Sequence, residues 1–563
     1  MENSITSIFG KKAAGWRNNQ RINEFTKKIE AYAPVDPTEQ PVVIFNASTR
    51  LTGISLNAAF SLLTGWSLRL AGVPVKNFVC QSGMSHCILG TNREDYHKPP
   101  PCKSCIAQSR RLYARSDVSW YEYEENSSLS TAICDLNLAE LSAFEYNFNS
   151  QTGKHLSSSN TPNHTIPFGE FVLPSIRWAL RCHNLKEDED TRYLLREYIL
   201  SAFNVAHKFA ALLDEVAPSC VLIFNGTMYP EAVARWVALQ RGIKVITHEV
   251  GFQPFSTIFS TGKVTAYPIH IPNDFELTLK QNTSLDAYLE KRFQGKFTMA
   301  GIRFWPEMRG LDNTFLEKAS LFKQIIPVFT NVVYDTSQVH ANQIFPHMFA
   351  WLDTVLDLIH EYPESLFVIR AHPDEMRPGT AKQSRQSVRD WVIRNGIDHL
   401  DNVVFIDSQD YINSYELIQS AKFVLVYNSS IGMEATLLDK PVLCGGKARY
   451  TQYPIVFLPD TPQAFIRQAQ KFLTSELIEL PTEFQRNARR FLYYQLFRAS
   501  LPFEEYIQEG NRKGFVYLRS FPWPQLLAEN STTMEVLQDN ILSQVGGDTH
   551  LSNGETFLLP ETR

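Results

Sequence analysis

This 563-residue sequence lacks several things, and each absence removes a class of protein. It has no membrane-spanning run. Its most apolar stretch, LNAAFSLLTGWSLRLAGVPV over Leu56–Val75, is broken by Asn57, Ser61, Ser67 and Arg69 and reads as a buried core helix. It has no excess of one charge: 54 Lys and Arg face 59 Asp and Glu, for a net charge of −5, so no overall field calls for nucleic acid. The local basic run QSRRLYAR, Gln108–Arg115, reads as a solvated helix face. There is no repeat at solenoid period. The opening MENSITSIFGKKAAGW has no signal-peptide core or cleavage site, so a cytoplasmic protein is expected. With 44% hydrophobic and 20% charged residues, disorder is excluded as well.

What is present is strand–helix alternation in two regions. In the first, PVVIFNAS (Pro41–Ser48), VKNFVC (Val75–Cys80), CVLIFNG (Cys220–Gly226) and IKVITHE (Ile243–Glu249) read as strands. Between the last two, YPEAVARWVALQRG is a helix started by Pro230 and stopped by Gly242. The second region begins near Gln324. There the strands are IIPVFTNVVYD (Ile325–Asp335), Leu366–Arg370, NVVFID (Asn402–Asp407), FVLV (Phe423–Val426) and PVLC (Pro441–Cys444). Its clearest helix, Phe345–Tyr362, carries Met348, Leu352, Val355 and Ile359 on one stripe. Such alternation predicts an α/β protein of two Rossmann-like, doubly wound domains facing a cleft. The expected organisation is a helical segment over 1–40, a first domain over 41–273 with a Cys-rich insertion at 80–135, and a polar linker over 274–323. A second domain over 324–480, helices over 481–530 that cross back over the first domain, and a loosely ordered tail over 531–563 complete it.

In open α/β sheets, ligands bind beyond the carboxyl ends of the strands. The second region places His372, Pro373, Asp335 and the pair Ser429–Ser430 there. The serines open a helix, where free N–H groups and the dipole favour a phosphate; the same pair could serve only as a helix cap. His372, stiffened by Pro373, can donate to that phosphate or to a leaving group. Glu434 lies one turn inside the same helix, two residues past Gly432, and is suited to accept both hydroxyls of a ribose.

Two stretches carry a family likeness. VIRAHPDE followed by YNSSIGMEATLLDKPVLCGG resembles the nucleotide-binding half of GT-B glycosyltransferases, nearest to the capsule polysaccharide biosynthesis group that includes bacterial Kdo transferases. FNGTMYPEAVARWVALQRGIKVITHEVGF, Phe224–Phe252, is similar to the same group. The resemblance implies a GT-B fold, a nucleotide-sugar donor (CMP- or UDP-linked) bound mainly to the second domain, and no metal in the chemistry. It also implies a glycan or glycolipid acceptor against the first domain, and surface-glycan synthesis by an inverting enzyme. The base for the acceptor hydroxyl should then come from the first domain. Glu249, at the end of IKVITHE, is the expected base and His248 the weaker candidate, with Asn225 lining the same cleft; a Glu249 that only caps the turn as a structural carboxylate is the equal alternative. Asp335 is a further donor-side or catalytic candidate. A nucleotide-sugar 2-epimerase and a non-catalytic binding scaffold are the rival readings of the same fold.

Cys80-x6-Cys87-x14-Cys102-x2-Cys105 fits a structural tetrahedral Zn²⁺, with His86 and His97 as spare ligands. Reduced buried thiols and an iron–sulfur cluster are the alternatives. The basic and aromatic residues of SIFGKKAAGW and RINEFTKKIEAY read either as a solvated helix packed on the domain or as a peripheral contact with the inner face of the plasma membrane.

Overall fold

The computed structural model describes residues 2–34, 40–46, 53–147, 165–294, 308–377, 383–512, 514–543 and 554–561, with side chains from residue 13 in the first helix. In the first domain, β1 (Val42–Asn46), β2 (Val75–Cys80), β3 (Asp117–Tyr121), β4 (Cys220–Phe224) and β5 (Lys244–Val250) run parallel, and β6 (Ser256–Ser260) pairs antiparallel to β5. In the second, β7 (Gln324–Phe329), β8 (Ser365–Arg370), β9 (Val403–Ile406), β10 (Val424–Val426) and β11 (Val442–Cys444) form an all-parallel sheet in the order β9-β8-β7-β10-β11. The short apolar runs become strands because helices cover both faces. Phe367 and Ile369 pack into one core layer and Leu366 and Val368 into the other. Each such side chain contributes about 1.5–3 kcal/mol by leaving water. Two doubly wound sheets facing one cleft make the GT-B arrangement.

After the second sheet the chain crosses back. Helix Thr482–Tyr493 leads to β12 (Leu501–Pro502), which pairs with β6 and completes the first sheet as β12-β6-β5-β4-β1-β2-β3. A hairpin of Ile507–Glu509 and Phe515–Leu518 then pairs with Ile54–Ser55. The apolar helix Leu56–Leu70 is started by Ser55, whose hydroxyl accepts the Ala58 amide at 3.2 Å, and all but three of its residues are buried. It is a core helix. Among the described residues no helix is long and apolar enough to cross a membrane.

Three expectations are corrected. Part of the 531–563 tail is ordered: Thr532–Leu542 is a helix capped by Ser531, and Gln538 donates to the Ser67 hydroxyl at 2.9 Å. Residues 554–561 lie against the first sheet, with the Phe557 amide on the Phe259 carbonyl; residues 544–553 of that tail fall outside the described residues. The 274–323 linker holds two capped helices, Leu279–Phe293 and Asn313–Ala319. The strand expected over Ile325–Asp335 ends at Phe329, because Thr330 and Asn331 turn to bond Arg370 and Asn428 in neighbouring strand ends. Cys80, Cys87, Cys102 and Cys105 share one neighbourhood, in which Cys87 feels the charge of the other three; among the described residues no three His, Cys, Asp or Glu side chains are grouped to hold a metal ion. The Cys80 sulfur accepts the Gly83 amide at 3.2 Å. Burial pushes the Cys80 thiol up to about 11 and Cys87 up to about 12, so both are neutral at pH 7.

The first helix, Glu2–Tyr32, packs on the first domain through Ile22, Phe25 and Ile29, and its Asn18 side chain accepts the Leu518 amide at 2.8 Å. Trp16 on that helix is 63% exposed.

Candidate active site

The strand ends of both domains open into one cleft of about 1700 Å³. Glu249, Asn225, Asp335, His372, Pro373, Ser429, Ser430 and Glu434 all line it. The structure therefore brings together the residues singled out on both sides.

On the first-domain side, alternation along β5 sends His248 and Glu249 to opposite faces. His248 is fully buried, with Nε2 2.8 Å from the Ser61 hydroxyl and its ring stacked on Phe259. Burial pushes its pKa down to about 3, so it stays neutral and away from the cleft. Glu249 turns into the cleft. One of its oxygens accepts the Asn57 amide at 3.1 Å and its own neighbour's Val250 N–H at 2.8 Å; the other accepts the Asn225 amide at 2.6 Å. Asn225 can reach it because Asn225 and Gly226 both adopt left-handed backbone, φ 61° and 72°, which reverses the chain at the end of β4. Burial lifts the Glu249 pKa above the ordinary carboxylate range, and Asp335 across the cleft adds to that rise.

On the second-domain side, β8 ends at Arg370 and the chain turns through His372–Pro373. The His372 Nδ1 accepts the Asp374 amide at 3.1 Å, which places the ring proton on Nε2. Asp374 is in turn paired with Arg377. From β10 the chain passes through Asn428, whose side-chain oxygen accepts from Asn331 and Gln338, and reaches the two serines. Ser430 stands at the N-cap of the Ile431–Leu437 helix in helical backbone, and its hydroxyl makes no capping bond. The Ser430 hydroxyl is thus not spent on capping. Gly432 packs where a side chain would collide with the Tyr450 hydroxyl, which donates to the Ser429 carbonyl at 2.9 Å. That close approach, rather than contact with a ligand, accounts for the glycine.

Glu434 differs from the expectation of an open ribose acceptor. Its carboxylate is buried, with one oxygen held by Arg292 at 2.7 Å and the other by the Tyr415 hydroxyl at 2.6 Å. Asp335 sits exposed at the rim, where its carboxylate accepts the Thr336 amide at 2.7 Å.

Several cleft residues lay outside the expected set. Asn57 comes from the start of the apolar core helix. Arg292 comes from the segment read as linker. Arg181, in left-handed backbone, lays its guanidinium over Trp178 at 3.9 Å and over Tyr334 of the other domain at 4.9 Å. Arg370 ends a strand. The usable signal for Arg370 was a charge at an inward position of an otherwise apolar strand; Arg181 had no local signal.

Residues 306–456 match the family model described as "Capsule polysaccharide biosynthesis protein". That segment contains both VIRAHPDE and the serine stretch, while Phe224–Phe252 lies outside it. No curated protein matches the chain. Among solved structures, the chain is similar to a beta Kdo 2,4 transferase, KpsC, of Thermosulfurimonas dismutans, at 13% identity and a TM-score of 0.33, over 54% of this chain and 84% of that one. It is also similar to the UDP-GlcNAc 2-epimerase of Neisseria meningitidis, at 12% identity and a TM-score of 0.24, over 81% and 99%. A third is the sucrose-phosphate synthase of Thermosynechococcus elongatus, at 11% identity and a TM-score of 0.26, over 81% and 95%.

Proposed function

We propose that this chain, whose second domain carries the capsule polysaccharide biosynthesis segment, is a glycosyltransferase. It takes a sugar from a CMP- or UDP-linked donor and passes it, with inversion, to a hydroxyl of a glycan or lipid-linked acceptor. A lipid-linked acceptor would bring the chain to the inner face of the plasma membrane, in keeping with the exposed Trp16.

The observation that carries the reading is the setting of Glu249. It is a carboxylate of raised pKa, oriented by Asn57 and Asn225, facing the His372 and serine side of the same cleft. A general base works best when its pKa approaches the working pH, and partial burial moves Glu249 in that direction. In the proposed step Glu249 takes the proton of the acceptor hydroxyl. The acceptor oxygen forms its bond to the anomeric carbon as the bond from that carbon to the phosphate oxygen breaks. The nucleotide leaves with the electron pair, and the His372 Nε2–H, the serine hydroxyls and the free N–H groups of their turn meet the charge that develops on its phosphate.

The test is Glu249→Gln in the full chain, with nucleotide binding followed by thermal stabilisation and transfer followed by nucleotide release from CMP- and UDP-sugars. Transfer should fall by roughly 10²–10⁴-fold while nucleotide binding is kept. Transfer at the unaltered rate, or no stabilisation by any nucleotide, would remove the proposal.

A further inference from the structure

Among the described residues, Arg370 is the one cation of the cleft wall with two buried nitrogens that lack a hydrogen-bond partner. It closes β8 two residues before His372, is 3% exposed and lines the cleft. Its Nη1 donates to the Asp407 carbonyl at 2.5 Å. Its Nε and Nη2 are buried and have no hydrogen-bond partner among the described residues. These two nitrogens form one edge of the guanidinium, whose two N–H bonds run parallel. That edge is the one that grips a pair of acceptor atoms side by side. A buried donor left unpaired is costly, so an arrangement that leaves both unpaired favours a ligand that supplies the acceptors.

Its surroundings favour a neutral ligand edge over an anion. Asp407 and Asp410 already set negative charge beside the guanidinium, and Arg389 neutralises Asp407 through a 2.6 Å bond. The local charges are balanced, and a further anion would meet two carboxylates. The position fits as well. Leu366 and Val368 share a core layer with Tyr415, whereas Phe367 and Ile369 face the opposite layer. Alternation along β8 therefore turns Arg370 to the sheet face that carries Tyr415, the partner of Glu434. Strands in a sheet lie about 4.8 Å apart, and β8 is two strands from β10, so Arg370 stands roughly 10 Å from the serine turn. That is the reach of a nucleotide from phosphate to base.

We propose that Arg370 is a specificity residue that reads the donor's nucleobase, its paired N–H edge accepting only a base that presents two adjacent acceptors. Of the two donors above, this selects the CMP-linked one, whose cytosine presents O2 and N3; guanine, with O6 and N7, presents the same pair and serves as the control base. Uracil sets a ring N–H where the second acceptor must be, and adenine sets an amino group there. The assignment rests on the nucleotide-sugar reading above.

Binding of CMP, GMP, UMP and AMP to the full chain by titration calorimetry tests it. CMP should bind roughly 10- to 100-fold more tightly than UMP and AMP. Arg370→Lys keeps the charge and loses the fork, and should bring that ratio close to one while UMP affinity is retained. Should Arg370→Lys fail to fold, the unaltered protein decides the matter with a base analogue. The 3-deaza form of CMP, or the 7-deaza form of GMP, lacks one of the two acceptors and should lose most of the preference. Equal binding of UMP and CMP, or a preference untouched by the analogue, would overturn the role of Arg370 and leave the nucleotide reading standing. Failure of all four nucleotides to bind would overturn both.

Discussion

At the scale of single residues, the second domain also carries a carboxyl group whose protonation is written into its burial. Glu375 is fully buried behind the His372 turn, with one oxygen accepting the Val388 amide at 2.9 Å. Burial, reinforced by Asp407 and Asp390, raises its pKa to about 8. In the unfolded chain the group titrates near the ordinary glutamate value. Between that value and 8 the unfolded state releases a proton that the folded state keeps. The group's contribution is therefore fully present at low pH and is lost as pH rises through about 8. Glu375→Gln should remove this slope. Chemical denaturation at pH 5 and pH 9 should show the variant gaining stability relative to the unaltered protein by roughly a few kcal/mol at the higher pH. Equal pH slopes for the two would count against the assignment. His372, the serine pair and Glu249 were legible because polar residues at strand ends stand out against apolar strands. The partners of Glu434 were not, because Arg292 and Tyr415 reach it from segments 142 and 19 residues away in sequence.

Among the elements, strands were the most legible and the pieces between the two sheets the least. The parallel strands are short apolar runs buried on both faces, a pattern that needs no knowledge of partners. Helix Glu189–Val216 carries an equally plain apolar stripe through Leu194, Tyr198, Val205 and Phe209, capped by Asp188. A guide based on strand–helix alternation passes over it, because no strand stands close before it. Helix Leu279–Phe293 is polar along most of its length and reads as linker; it is tied down at its end by Arg292. That side chain meets a carboxylate only 4% exposed, and the pair anchors the helix to the second domain. Removing one partner of such a pair leaves a buried charge uncompensated, at a cost of about 3–5 kcal/mol. Arg292→Met should show that loss in urea denaturation. Adding Glu434→Gln should restore a substantial part, since the stranded charge is then gone. A single variant as stable as the unaltered protein would mean that the helix is held by Leu285, Leu289 and the Arg489 bonds to Asn282 and Asp286.

For the whole molecule, two α/β domains and a returning C-terminal segment followed from the order of elements. How closely the domains approach did not, because it depends on side chains that meet only after both have folded. They meet on both flanks of the cleft. On one flank, the Arg385 amide donates to the Arg181 carbonyl at 2.8 Å and the His183 amide to Gln386 at 3.2 Å. On the other, Thr265 bonds His340 at 2.9 Å, and the Arg449 guanidinium of the second domain lies over Phe252 at 4.7 Å and Tyr267 at 4.3 Å of the first. An arginine over an aromatic face is worth about 0.5–2 kcal/mol, more when water is excluded. Domain closure in two-domain proteins balances on differences of a few kcal/mol, so losing both ring contacts should move the population toward open forms. Arg449→Ala is therefore expected to enlarge the radius of gyration in small-angle scattering without ligand, while Glu375 and the cores of both domains keep their unfolding behaviour. A nucleotide that bridges the two sides should then draw the variant back toward the compact form. Scattering curves that superimpose with and without the substitution would show that the remaining contacts, the 181–183 and 384–386 flank together with the Thr265–His340 and Ile271–Tyr453 bonds, set the domain spacing without the ring contacts.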